Sequence, residues 1–169
     1  MRKIDVRELN DNFVETIGKE WMLITAGTME RFNMMTASWG CVGWLWNKPV
    51  AVVFVRPERY THRLIEESGR LSLVFLGESE EMRRVYAFCG SKSGRDFDKA
   101  RETGLCPVET AGGCVTFGQA RLTLECVKLY KDSIRPENFI DGGLSKWYGP
   151  AHGGYHDVYV LEITGAYAG

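Results

Sequence analysis

Residues 33–40 read Asn-Met-Met-Thr-Ala-Ser-Trp-Gly, and we expect the rest of the chain to be organised around them. This stretch combines small hydroxylated residues, two flexible thioethers and one large flat aromatic ring. Small residues let a backbone approach a ligand closely, and the aromatic ring offers a flat surface for stacking. We therefore predict that residues 33–40 form a cradle for a planar, polar-edged cofactor.

A second polar stretch, Arg-Pro-Glu-Arg-Tyr-Thr at residues 56–61, follows the most strand-like segment of the chain. That segment, residues 50–55, is a β-branched run typical of a strand. A short helix is predicted over residues 63–69, with Thr61 as its candidate N-cap and Gly69 as its end. Free N–H groups at a helix N-terminus favour an anion. The alternative is that Thr61 is only a cap, which is the more common role.

The third polar stretch is Ser-Lys-Ser-Gly-Arg-Asp-Phe-Asp-Lys at residues 91–99. It offers hydroxyls, an ammonium group and an easily bent backbone to an anion. Taken alone, it is better interpreted as a solvated charged loop. Because two candidate anion sites occur in one short chain, the functional interpretation gains weight.

The remaining segments alternate between short strands and short helices. Period-two alternation predicts a strand over 120–129, and amphipathic spacing predicts a helix over 78–88. Further strands are predicted at 21–28, 71–76, 114–117 and 157–164, a short helix at 96–103 and a loop at 135–154. This pattern predicts a mainly β fold, an antiparallel barrel or sandwich with a few short helices. We choose a small closed barrel, with residues 1–169 as a single domain.

Composition excludes several classes of function. The 169 residues carry a formal net charge of −1, which creates no field that attracts nucleic acid. No apolar run approaches the roughly 20 residues that span a membrane, and residues 1–18 contain no apolar block of the signal-peptide kind. The five cysteines are scattered without a C-x-x-C pair, as expected of reduced thiols. We therefore expect a cytoplasmic protein with neither a nucleic-acid nor a membrane partner.

Other common chemistries have little support in this sequence. His152 and His156 are four residues apart, but the Gly-Gly between them argues against a helix on which they could share a metal. His156 stands just before a predicted strand, where it can face a ligand or make a structural hydrogen bond. No serine lies in a G-x-S-x-G setting, and the two common glycine-rich phosphate motifs do not occur. We expect no metal site and no acyl transfer.

Together these stretches resemble the flavin reductase-like family of FMN-binding split barrels, and within it the flavoredoxin-like branch. The resemblance rests on residues 33–40, 50–61 with the helix that ends at Gly69, 93–99 and 155–163. It implies a six-stranded antiparallel split β-barrel with Greek-key connections and a few short helices. It also implies a homodimer that binds FMN near its interface.

The resemblance also implies roles for individual residues. Asn33 and the run from Met35 to Trp39 would line the isoalloxazine ring and the ribityl chain. Arg56, Thr61 and Lys99 would contact the phosphate or the ribityl chain, and His156, the candidate catalytic residue, would lie near the reactive face. The complete set of candidate cofactor-binding residues is Asn33, Met35, Thr36, Ala37, Ser38, Trp39, Arg56, Pro57, Tyr60, Thr61, Ser91, Ser93 and Lys99. Two residues depart from the family pattern, which commonly has glycine at Leu161 and an aromatic residue at Ala100.

The implied function is redox chemistry through non-covalently bound FMN. In the leading hypothesis the protein is an NAD(P)H-dependent flavin reductase-type oxidoreductase, with NADH or NADPH as donor. In the second it is a flavoredoxin-like electron carrier that a partner protein reduces. A binding module without redox use ranks last, because the whole cradle is present. Since a flavin carries the redox chemistry itself, the lack of a catalytic dyad fits either redox role.

Overall fold

The computed structural model describes residues 1–169 and builds the chain mainly from antiparallel strands. The strands are β1 (Arg2–Ile4), β2 (Met22–Thr28), β3 (Arg31–Ala37), β4 (Gly40–Leu45), β5 (Lys48–Val55), β6 (Arg70–Phe75), β7 (Pro107–Glu109), β8 (Val115–Phe117), β9 (Leu122–Ser133) and β10 (Asp157–Ala168). The helices are α1 (Phe13–Glu15), α2 (Tyr60–Glu67), α3 (Glu80–Ser91) and α4 (Lys99–Thr103). None of them is long and apolar enough to cross a membrane.

Eight strands form the main sheet. Seven follow the order β3-β2-β6-β9-β10-β5-β4, β1 pairs with β10, and β7 and β8 form a separate two-stranded sheet. The predicted mainly β, antiparallel fold with a few short helices is confirmed. The main sheet nevertheless has eight strands rather than six, because the cradle segment itself is extended. Its residues pair within β3 against β2, and the chain after it pairs within β4 against β5.

Strand alternation divides the apolar residues between two cores. On β2, Met22 and Ile24 belong to a cluster of 21 buried residues on the inner face of the sheet. Leu23 points the other way, into a cluster of 12 buried residues that includes Met34 and Tyr86. The second cluster holds α3 against β3. The C-terminal end of α3 therefore lies beside the cradle.

The ends of α2 differ from the prediction. Arg59 occupies the N-cap position without a side-chain cap, so the prediction that Thr61 caps this helix is wrong. Thr61 is buried one residue inside the helix, and its Oγ1 accepts a hydrogen bond from Nδ2 of Asn33 at 2.8 Å. This bond fastens α2 to β3. Thr61, the predicted cap, therefore links α2 to β3.

The polar segment after α3 is also more regular than expected. α3 ends at Ser91, three residues beyond the predicted end of the helix at residue 88. Only residues 99–103 of the predicted helix 96–103 are helical, because Asp98 caps α4 by accepting the backbone N–H of Arg101 at 3.2 Å. Residues 92–98 connect the two helices. The resulting turn brings Lys99 beneath the end of α3.

Candidate functional site

Three adjoining cavities surround the end of β3. We call them the His156 cavity, the Lys99 cavity and the Trp21 chamber, with volumes of about 180, 150 and 350 Å3. Arg59 lines both of the first two, and Thr36 and Ser38 line both the His156 cavity and the Trp21 chamber. Residues distant in sequence thus share one side of the sheet.

The first two cavities bring together nearly all the residues predicted from sequence. The His156 cavity is lined by Met35, Thr36, Ala37, Ser38, Trp39, Phe54, Arg56, Arg59 and His156. The Lys99 cavity is lined by Asn33, Glu58, Arg59, Tyr60, Thr61, Gly90, Ser91, Lys92, Ser93, Gly94, Arg95 and Lys99. Among the predicted residues, only Pro57 lines neither cavity, because it lies in the exposed turn between β5 and α2.

Lys99 is a buried cation that has no carboxylate partner. Lys99 is 3% exposed, and its Nζ donates hydrogen bonds to the backbone oxygens of Met34 at 2.9 Å and Cys89 at 2.8 Å. Burial, together with nearby Arg59, lowers the pKa of Lys99 to about 8. An ammonium group has three donors, so one remains for a ligand. An anion in this cavity would compensate a charge that is costly to bury alone.

The other charged groups of the Lys99 cavity are mostly positive. Arg59, Lys92 and Arg95 line it and make no ion pair within the chain, and the Arg95 guanidinium lies 5.2 Å from the centre of the Tyr60 ring. Glu58 is the one acid, and its carboxylate accepts the backbone N–H of Gly154 at 3.1 Å. Four cations and one carboxylate give the cavity a positive potential, which favours a phosphate.

Gly94 permits the close packing that encloses this cavity. A Cβ atom added to Gly94 would lie 2.1 Å from Oδ1 of Asn33, far inside contact distance. Asn33 is itself buried and bonded to Thr61, so its side chain has little room to move. Only glycine therefore lets the turn after α3 approach β3 at this point.

Aromatic residues enclose the His156 cavity. The Trp39 ring lies 5.2 Å from the His156 ring and meets the Trp147 ring edge-on at 5.8 Å, measured between centroids. The Tyr148 hydroxyl lies 3.3 Å from Nδ1 of His156. Trp147 and Tyr148 belong to the long loop predicted over 135–154. That loop therefore forms one wall of the cavity.

Arg56 holds this loop in place. Its guanidinium donates to the backbone oxygens of Gly154 at 2.8 Å and Trp147 at 3.2 Å, and it lies 5.6 Å from the centre of the Tyr148 ring. The side chain also lines the His156 cavity, so the predicted contact with a phosphate or ribityl chain stays a prediction. Its role in supporting the loop was not visible in the sequence.

His156 is neutral at physiological pH. It is 7% exposed, and burial, reinforced by the positive charge of Arg56, lowers the pKa of its imidazole from 6.5 to about 4. The ring can therefore accept or donate a hydrogen bond without bringing a charge to the cavity. A catalytic role for His156 remains a prediction.

Trp21 lines the Trp21 chamber, and the sequence did not predict it as a site residue. Its backbone angles, φ 74° and ψ 179°, belong to a region occupied almost only by glycine, at a cost of about 1–3 kcal/mol. It follows a π-helical turn, Thr16–Glu20, and donates its N–H to the oxygen of Thr16 at 3.0 Å. A tryptophan ahead of a strand looks like an ordinary core residue. Nothing in the sequence signals its unusual backbone.

Fold and site together define an antiparallel β protein with a positively charged cavity beside an aromatic-walled one. The chain belongs to the flavin reductase like domain family, whose model matches residues 14–169. The family recognised from the sequence is thereby confirmed. No curated protein matches the chain.

Solved structures share the fold of this chain. A flavoredoxin from Methanosarcina acetivorans is 22% identical, with 89% of this chain and 68% of that chain covered and a TM-score of 0.66. An FMN-binding protein from Thermus thermophilus with bound p-hydroxybenzaldehyde is 21% identical, with 100% and 82% covered and a TM-score of 0.67. An NADH:FAD oxidoreductase from Streptomyces globisporus, in complex with NAD and FAD fragments, is 16% identical, with 89% and 74% covered and a TM-score of 0.62. At these identities the likeness establishes the fold.

We predict that the folded-state pKa of His156 can be read directly by NMR titration of its imidazole, with a midpoint near pH 4. Between the unperturbed value of 6.5 and about 4, the unfolded chain binds more protons than the folded chain. The free energy of unfolding should therefore fall as the pH drops through this range. His156→Asn should flatten that part of the stability profile. A folded-state midpoint near 6.5 would contradict the burial of a neutral ring.

Proposed function

We propose that this protein binds FMN non-covalently across the Lys99 and His156 cavities and acts as an NAD(P)H-dependent flavin reductase-type oxidoreductase. The buried Lys99 ammonium, with a free donor and no counter-ion, is the observation that carries the proposal. FMN has a phosphate dianion at one end and a planar ring at the other. The two cavities offer complementary surfaces in the same order, and membership of a flavin reductase family supports a flavin as ligand.

The residues divide by the part of the cofactor that they suit. Lys99, Arg59 and Arg95 suit the phosphate, because charge-assisted hydrogen bonds are the strongest that side chains make. Tyr60, Thr61, Ser91 and Ser93 add polar groups around the same cavity. The backbone and small side chains of residues 35–38, with the Trp39 ring, suit the flat ring and its polar edge. In this assignment Asn33 positions Thr61 by the hydrogen bond between their side chains.

When bound, FMN supplies the redox chemistry, which is hydride exchange with a reduced nicotinamide. The chain binds the phosphate, orients the ring and limits the access of water. Trp39 and Trp147 form the wall that excludes water, and Arg56 keeps Trp147 in place. His156 remains uncharged in the His156 cavity. It therefore adds no positive charge that would alter the balance between the oxidised and reduced states of the flavin.

Replacing Lys99 tests the proposed phosphate contact. Lys99→Met should weaken FMN binding about ten- to a hundredfold, because it removes a charged donor from a buried site. In the wild type, affinity should also fall as the pH rises above about 8, where the Lys99 ammonium loses its proton, and this dependence should be absent from the variant. Titration of apoprotein with FMN, followed by flavin fluorescence, measures both effects.

Lys92→Met is the matched control, because Lys92 lies on the rim of the same cavity but is exposed. It should weaken binding much less than Lys99→Met. Thermal unfolding without flavin shows whether either variant has lost its fold. Equal effects of the two variants, or wild-type protein that forms no yellow complex with FMN, would rule out the proposed site.

A second candidate function is a flavoredoxin-like electron carrier. It is favoured by the partly exposed rings of Trp39 and Trp147 at the mouth of the His156 cavity, since a redox partner needs a route close to the flavin. Anaerobic mixing of the FMN complex with NADH or NADPH separates the two functions. The reductase proposal expects rapid bleaching of the flavin by a nicotinamide alone. Bleaching that requires a reduced partner protein would support the carrier instead.

We also propose that the protein is a homodimer with FMN near the interface. β4 is the last strand of the sheet; Trp44, within this strand, is 58% exposed, and Trp46, in the turn that follows it, is 56% exposed. Trp46 and Asn47 have positive φ, which forms a tight two-residue turn that displays the Trp46 ring. Large apolar side chains at a sheet edge are normally covered. A second copy of the chain would cover them.

Light scattering coupled to size exclusion tests this assembly. The wild type should have the mass of two chains, and the double variant Trp44→Glu with Trp46→Glu should have the mass of one, because charges would be buried at the interface. Val14→Glu is the control, since Val14 is 83% exposed on a different part of the chain and its variant should remain dimeric. A wild-type protein with the mass of one chain would overturn the proposal.

A further inference from the structure

Residues 136–147, which we call the flap, make very few hydrogen bonds to the rest of the chain. Their hydrogen bonds go to residues between 135 and 148, apart from the one that the backbone oxygen of Trp147 accepts from Arg56. No residue of the flap is buried. A segment with so few attachments opens at a low cost in free energy, as the lids of active sites do.

The chain is firmly held on both sides of the flap. Before it, the backbone N–H of Ile134 donates to the oxygen of His156 at 2.9 Å. After it, Gly154 donates its N–H to the Glu58 carboxylate at 3.1 Å and accepts a hydrogen bond from Arg56 at 2.8 Å. Motion of the flap is therefore a rotation about two fixed ends.

The two ends of the flap meet beside the His156 cavity. At the C-terminal end, the Trp147 ring meets the Trp39 ring edge-on at 5.8 Å, and Trp39 lines that cavity. Near the N-terminal end, the Phe139 ring lies 5.8 Å from the Tyr148 ring. The hydroxyl of Tyr148 in turn lies 3.3 Å from Nδ1 of His156. Rotation of the flap would therefore cover or open the mouth of the cavity.

The flap carries apolar side chains that the rest of the chain leaves uncovered. Ile140 is fully exposed, and Leu144 and Trp147 are 43% and 46% exposed. Leu144 and Trp147 are three residues apart in the 3-10 turn Gly142–Trp147, so they lie on the same side of it. Large apolar groups collected on one exposed segment indicate a surface that another molecule covers.

We propose that the flap closes over the nicotinamide donor when the donor binds at the mouth of the His156 cavity, and that Ile140 and Leu144 contact it directly. The inference rests on the proposed function, in which a reduced nicotinamide delivers hydride to bound FMN. The reduced nicotinamide ring is flat and uncharged, so apolar side chains suit its outer face. Closure also keeps water away from the reacting rings. The flap takes no part in holding FMN.

Trypsin measures the opening of the flap directly. Lys146 is exposed within the flap, and the one other basic residue between 135 and 154 is Arg135, which precedes Pro136 and is therefore a poor site for trypsin. The rate of cleavage follows the population of the open form when opening and closing are fast. In the oxidised FMN complex, saturating 1,4,5,6-tetrahydro-NADH or its NADPH counterpart, neither of which reduces a flavin, should slow cleavage after Lys146 at least about fivefold.

The double variant Ile140→Ser with Leu144→Ser tests the apolar contact. It should raise the KM for the donor about tenfold, because two apolar groups no longer cover the ring. Its kcat should change much less, since these contacts are equally strong before and during hydride transfer. Its affinity for FMN should stay within about threefold of the wild type. Val108→Ser is the matched control, because Val108 is 40% exposed on β7, and it should change none of these values.

These measurements separate a failure of the flap from a failure of the proposed function. Yellow colour and bleaching by a nicotinamide report on the function, whereas cleavage after Lys146 and the KM report on the flap. In a complex that a nicotinamide bleaches, three results would each overturn the flap alone: resistance of Lys146 to trypsin without nucleotide, cleavage that the analogues do not slow, or an unchanged KM in the double variant. A complex that no nicotinamide bleaches would overturn both proposals, because the flap would have no donor to cover.

Discussion

The site depends on one buried ammonium group. Lys99 donates to a backbone oxygen of β3, at Met34, and to one near the end of α3, at Cys89. It therefore ties the strand that carries the cradle to the helix that flanks it. Because these carbonyls are neutral, the charge has hydrogen bonds but no counter-ion. The Lys99 ammonium thus connects β3 to α3, and its positive charge favours the binding of an anion.

Other contacts fit around this constraint. The Asn33 amide fills the space that Gly94 leaves and donates a hydrogen bond to Thr61, which fastens α2 to β3. Arg56 secures the loop that carries Trp147 and Tyr148, and this loop shields His156. The polar Lys99 cavity and the aromatic His156 cavity therefore lie side by side, and Arg59 lines both. In our proposal, the two cavities hold the two chemically different ends of FMN.

Local patterns in the sequence predicted the mainly β class and the three polar stretches that line the cavities. Their success has a physical reason: β-branched runs and turn residues reflect the backbone near them, and a cluster of small and polar residues reflects a surface that must be approached closely. The extra strands were missed because residues 31–37 acquire their extended structure by pairing with β2. Thr61 was taken for a cap because its true partner, Asn33, is distant in the chain.

The backbone of Trp21 and the loop contacts of Arg56 lay beyond prediction for a similar reason. Strain at one residue depends on the packing that enforces it, and a guanidinium finds its carbonyl partners only after the loop has folded back. The sequence showed which residues are chemically able to bind. The tertiary structure determines which of their donors are already used.

We propose that an anion completes the Lys99 cavity, and a comparison of FMN with riboflavin tests this proposal. The two ligands have the same ring and polyol chain and differ only in the phosphate. Calorimetric titration of the apoprotein should show FMN binding at least about a hundredfold more tightly than riboflavin, because only FMN provides the missing counter-ion. Equal affinities for the two ligands would show that the phosphate makes no contribution in this cavity.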